Sequence, residues 1–202
     1  MRSYIGIWLV GLVLAGCVSF GQSQPEKHYY ALEAVREGKR LVALPGTTLN
    51  IRRFRASPPF EGRELVYRES DARYERDFYN EWVVPSDVML TQQTLNWLTA
   101  AGLFQYLTDS SGPLPATHIL EGTVTALYGD YRATPLKVVL GLQFVLMHDT
   151  AASTDMIWHD QYRKEVEVGE QSPEALVSGW NDALRIILTA VEADMNQALR
   201  PR

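Results

Sequence analysis

The chain has 202 residues, 19 of them basic and 24 acidic, with a formal charge of −5, 46% apolar residues and one cysteine. That balance disfavours a nucleic-acid binder, which needs a basic surface for phosphates, and a lone cysteine excludes an internal disulfide. The length and apolar share suffice for one domain held by packing, with Trp82, Trp97, Trp158 and Trp180 as core candidates.

The chain starts with one positive charge, Arg2, and then an apolar run over 4–13. That run is long enough for the core of a secretory signal but short for a bilayer span. Leu14-Ala15-Gly16-Cys17 closes it, with two small residues ahead of the cysteine. This stretch resembles the lipobox of bacterial lipoproteins, which implies cleavage before Cys17 and acylation of Cys17, palmitate included. The competing reading is an ordinary signal peptide or uncleaved anchor with a chance cysteine. Cleavage leaves 186 residues with 18 basic and 24 acidic side chains, a formal charge of −6. Residues 17–27 form the acylated cysteine and a polar tether; ten residues of coil reach about 17 Å, and about 35 Å when stretched. The single domain is expected over 28–202.

Strands are expected at 28–35 and 41–44, the second stopped by Pro45-Gly46, followed by a less regular extended stretch at 48–55. Two more are expected at 64–68 and 74–82. Period two in the latter sets Tyr74, Phe78 and Trp82 inward and Glu75, Asp77, Tyr79 and Glu81 outward. A helix follows Pro85, capped by Ser86 or Asp87, with Val84, Val88, Thr91, Leu95 and Leu98 as its apolar stripe and Gly102 as its stop. The strands 117–131, 136–148 and 156–168 read as an antiparallel meander. Ser172 caps a closing helix with Pro173 at its first position and the stripe Leu176, Val177, Trp180, Leu184, Ile187, Leu188, Val191, Met195 and Leu199.

Four blocks, Tyr29-Tyr30-Ala31-Leu32, residues 59–68, 74–82 and 85–104, together with Trp180 and Ala183-Leu184 in the closing helix, resemble the ABC-type transport auxiliary lipoprotein family, which includes PqiC-type lipoproteins. The resemblance spans nearly all of the mature chain. It implies an α+β fold in which two helices pack on one face of a mixed, largely antiparallel sheet, similar to the N-terminal domain of TolB. It also implies a periplasm-facing auxiliary component of a lipid transport system between the two membranes. The implied partners are an ABC permease and ATPase and an MCE-type substrate-binding protein. No catalytic residues, metal or cofactor come with the resemblance, the N-terminal lipid on Cys17 aside. Val18 stands where an aspartate would favour inner-membrane retention, which points to the outer membrane by enterobacterial sorting, with the inner membrane as the alternative.

The sequence has no P-loop, no Gly-x-Ser-x-Gly elbow and no His-Glu-x-x-His, so no enzymatic step is expected of it. Among His28, His118, His148 and His159, only His148 and His159 are expected to meet, across the last hairpin, beside Asp149 or Asp160. The strand from Val138 is apolar on both faces. Either it is buried on both sides, or Val139, Val145 and Met147 form an oligomer or partner surface. The leading expectation is thus a lipid-anchored docking component. The competing ones are an envelope-assembly or stability lipoprotein that binds another protein without transport, and a hydrolase with a nonstandard site.

Overall fold

A computed structural model describes residues 26–109, 114–132 and 134–200; Cys17 and most of the tether lie outside them. Nine strands form one sheet: β1 (His28–Tyr30), β2 (Leu44–Ile51), β3 (Arg55–Ala56), β4 (Glu64–Arg68), β5 (Tyr74–Trp82), β6 (Phe104–Asp109), β7 (His118–Asp130), β8 (Lys137–Asp149) and β9 (Thr154–Glu167). The helices are α1 (Ser86–Ala101) and α2 (Pro173–Ala198), and a 3₁₀ turn occupies Pro58–Phe60.

β7 is the spine. Along one edge it pairs antiparallel with β8 from His118↔His148 to Asp130↔Lys137, and β8 pairs likewise with β9. Along its other edge three short parallel strands lie end to end: β2 at Leu49↔His118, β3 at Arg55↔Thr123 and β4 at Tyr67↔Gly129. Beyond β2 lies β6, and beyond β4 lie β5 and then β1. Antiparallel pairing therefore carries the long strands, and the α+β class expected from the sequence is the observed one.

Residues paired across strands share a sheet face. Leu120, Val124, Leu127, Val138, Leu140, Leu142, Phe144 and Leu146 face the helices and are buried. α2 lies over this face with Leu176, Trp180, Leu184, Ile187, Leu188, Val191 and Met195 buried, in agreement with the expected stripe. Ser172 Oγ accepts the Ala175 N–H at 3.2 Å, so this helix has its cap. Trp180 meets Trp82 edge to face, centroids 5.3 Å apart, and its Nε1 donates to the Val139 carbonyl at 3.3 Å.

α1 differs from expectation in its buried face. Met89, Leu90, Thr94, Trp97, Leu98 and Ala101 are buried, while Val88, Thr91 and Leu95 are half-buried and Val84 is exposed. Neither Ser86 nor Asp87 caps it: Ser86 Oγ donates to the Phe60 carbonyl at 2.7 Å, and Asp87 accepts from Arg53 Nε at 2.6 Å. Ser86 ties α1 to the β3–β4 connection and Asp87 ties it to the β2–β3 connection instead. Gly102 ends the helix at φ 71°, where its N–H bonds the Leu98 carbonyl. Trp97 Nε1 and the Arg36 guanidinium both donate to Glu192, joining α1 to α2.

The first two strands also differ from expectation. β1 ends at Tyr30 because the chain then crosses onto the helices, where Glu33 N–H donates to Asn181 and Ala34 N–H to Gln93. β2 starts where a stop was expected. It runs through Pro45-Gly46 because Gly46 adopts φ 71° within a bulge between Leu44 and Thr48, and Gln105 accepts the Gly46 N–H.

Candidate docking surfaces

The sheet face opposite the helices carries the predicted surface residues, and the structure separates them. Val139 is fully buried. It pairs with Tyr128, whose ring is stacked by Phe60 at 6.0 Å and met edge-on by Tyr74 at 5.6 Å. Arg163 Nη2 donates to the Tyr128 hydroxyl at 2.9 Å. The Val139 part of the expected surface is therefore corrected: this end of the outer face is closed by the chain's own aromatic residues. Val145 and Met147 are half-buried. Met147 lies in one row with Ile119 and Met156, the last 60% exposed, and Val145 lies between Glu121 and His159. Glu121 is engaged by Arg52 at 2.5 Å and Arg55 at 3.8 Å, which leaves an apolar end beside a charge-balanced strip.

The expected His148–His159 meeting does not occur. His148 lies between His118 and Asp155 on the helix side, and His159 pairs with Val145 on the outer face. The rings that meet are His118 and His148, centroids 5.1 Å apart. Burial, and then the neighbouring His148, lower the His118 pKa to about 4, so its ring is neutral at pH 7. Thr117 Oγ1 lies 2.9 Å from His118 Nδ1, and Phe104 covers the ring edge at 5.3 Å. The described residues hold no group of three or more metal-ligand side chains.

A second surface went unseen in the sequence. Phe78 and Tyr79 are 65% and 43% exposed, and Tyr29 on the neighbouring β1 is 53% exposed. The expected alternation fails here because β5 bulges: Glu64 pairs with Glu81, yet Leu65 pairs with Asp77. Asp77 Oδ1 accepts the N–H groups of Tyr79 and Asn80 at 2.9 and 3.0 Å, and its Oδ2 takes the Tyr67 hydroxyl at 2.7 Å. These donors hold the Asp77 carboxyl below the usual carboxylate range against the opposing effect of burial, and burial together with Asp77 raises the Tyr67 phenol. Phe78 and Tyr79 are thereby pushed out as adjacent rings in edge contact at 5.3 Å. Lys27 Nζ sits over Phe78 at 4.1 Å while also pairing with Glu81, and the Arg63 guanidinium lies 5.3 Å from the Tyr29 centroid. The sequence did hold one signal for this corner. Two consecutive large aromatics cannot both face inward on a regular strand.

Around α1 the half-buried Val88, Thr91 and Leu95 line, with Ile51, Arg53, Gln92 and Asp109, a shallow groove of about 400 Å³. No described helix is long and apolar enough to cross a membrane.

No family model matches the chain, and no curated protein matches it in sequence. Solved structures do match in fold. A Xanthomonas campestris protein described as DUF330 superposes with a TM-score of 0.70 at 13% identity, over 85% of this chain and 96% of that one. An uncharacterized protein superposes with a TM-score of 0.66 at 19% identity, over 84% of this chain and 99% of that one. At these identities the likeness concerns the fold, which both neighbours share over nearly their whole length.

Proposed function

We propose that this protein is a lipoprotein, acylated at Cys17, that holds a docking domain on the periplasmic side of a membrane, favouring the outer one. There it serves as an auxiliary component of an ABC lipid transport system with an MCE-type substrate-binding partner. The observation that carries the reading is the run Leu14-Ala15-Gly16-Cys17, placed directly ahead of a polar stretch and an α+β domain. The block resemblance of residues 29–32, 59–68, 74–82 and 85–104 to the auxiliary lipoproteins supplies the transport half. In this role the domain supplies contact, and any energy comes from the partner ATPase. The apolar end of the outer face at Val145, Met147 and Met156 is the surface on which a protein partner or a second copy would bury area.

The test has two arms. Cys17→Ser is expected to abolish incorporation of labelled palmitate and to move the protein out of the membrane fraction; retention of lipid by the variant overturns the anchor. Crosslinking through a photoreactive residue at Met156, in cells, is expected to capture an MCE-type protein. Capture of an assembly factor in its place favours the envelope-assembly reading.

A further inference from the structure

The bulge in β5 sits where the tether enters the domain, and that juxtaposition gives the exposed aromatic corner a specific occupant. Parallel pairing of β1 with β5 sets His28 opposite Asn80 and Tyr29 opposite Glu81, so Lys27, the residue just before β1, lies beside Phe78 and Tyr79. Only eight residues lie between Cys17 and Glu26, nine Cα-to-Cα steps. A chain of that length reaches about 17 Å as coil and about 30 Å when extended. Whatever surface holds the acyl chains is therefore within reach of this corner.

The corner has the chemistry of a bilayer interface. It presents Phe78, Tyr79 and Tyr29 to solvent, and Lys27 and Arg63 lie over two of these rings. Aromatic rings with a polar edge partition into the headgroup region, and lysine and arginine stems extend their charges toward phosphates. The bulge is also rigidly held: the Asp77 carboxylate fixes two backbone N–H groups, the Asn80 amide and the Tyr67 hydroxyl. Leaving two large rings in water costs free energy that a buried alternative would avoid, so a fixed, ordered exposure at the anchor end indicates a surface that covers it.

We infer that Phe78, Tyr79 and Tyr29, flanked by Lys27 and Arg63, rest on the phospholipid headgroup layer of the membrane that holds Cys17. They give the domain a fixed orientation relative to its anchor. This rests on the anchor reading above. It adds a second, non-covalent attachment with the β1–β5 corner facing the lipid and the sheet's outer face turned along or away from it.

The experiment uses the mature acylated protein. Cys17 is the only cysteine in the sequence and its sulfur is consumed by the lipid, so Tyr79→Cys introduces a single reactive thiol. Tyr79 contributes its backbone N–H to the Asp77 turn, which the substitution preserves; a thermal melt matching the parent shows that the fold is kept. The thiol is labelled with an environment-sensitive nitrobenzoxadiazole dye, and the protein is reconstituted into phosphatidylethanolamine–phosphatidylglycerol vesicles with and without headgroup-region spin-labelled lipid. Gln161→Cys, at an exposed position in the middle of the outer face, is the control. The expected result is a blue-shifted emission at 79 and quenching several-fold stronger than at 161. Equal, solvent-like signals at both positions on a protein whose mass confirms the lipid overturn the interfacial contact and leave the anchor standing. A blue shift without lipid quenching assigns the corner to a second copy and also overturns it. Absence of lipid on Cys17 by mass overturns the anchor reading, and this inference with it.

Discussion

The two helices lie on the same face of the same sheet, but they use their sequences differently. α2 packs along its length through a stripe spaced three and four residues apart, with a Ser172 cap and an apolar partner strand beneath it. α1 spends its cap residues on tertiary bonds and rotates so that Trp97 and Thr94 go inward, leaving Val88 and Leu95 half open over Ile51. Helix periodicity identifies a buried face when the helix is the main cover of its sheet. Where a helix is also pinned by polar contacts at one end, those contacts choose the face. Trp97 reaching Glu192, itself forked by Arg36, is the inter-helix contact that fixes the rotation.

That contrast can be tested by truncation. Trp180→Ala removes a fully buried indole from under α2 and is expected to cost about 3–5 kcal/mol in chemical denaturation, the largest loss of any helix position. A cost under about 1 kcal/mol would mean that α2 is not the main support of the β8 face. In α1, Leu98→Ala is expected to cost about 2–4 kcal/mol and Leu95→Ala clearly less, because Leu98 is fully buried and Leu95 is half open. Reversal of that order would restore the face expected from periodicity and discard the rotation. The effect expected to be smallest at neutral pH is at His118, the first residue of β7, packed on Phe104. Its folded-state pKa of about 4 is below the ordinary 6.5, so the folded state resists its protonation. Stability linked to this ring is thus full above about pH 6.5 and is lost as pH falls toward 4, up to about 3 kcal/mol for a shift of this size. Depressed carboxylates such as Glu192 and Asp130 add losses in the same direction below that window. His118→Gln should flatten the pH 4–6.5 part of the profile; an unchanged slope there would show that the ring is not responsible.

The long, regular elements were legible in the sequence because their signals are long: the β7–β8–β9 meander, β4, β5 and α2 fall within two residues of expectation. The failures share a physical cause, which is that a local pattern was broken by a contact distant in sequence. Gly46 lets β2 pass through a Pro-Gly that reads as a stop, and the pairing with β6 that rewards this lies about 60 residues on. Asp77 reverses the facing of Phe78 by taking two backbone N–H groups, which period two cannot register. His118 and His148 meet because β7 and β8 pair in a register that spacing within one hairpin did not reveal. Of the candidate surfaces, Val145 and Met147 remain half open, whereas Val139 is closed off by the Phe60–Tyr128 stack, two rings 68 residues apart in sequence.

The end-to-end arrangement of β2, β3 and β4 along β7 has a consequence for how the chain becomes a domain. Each of these short strands has its edge partner at residues 118–130, so everything from Leu44 to Arg68 precedes in the chain the template it must line up on. The meander β7–β8–β9, by contrast, closes through neighbours a few residues apart. Assembly is therefore expected to run from the C-terminal half backward, with β7 acting as a ruler on which the earlier segments are measured off in order. A chain that emerges amino end first would spend the longest time with its N-terminal half unpaired, and that half would be the part most dependent on holding factors while the ruler arrives.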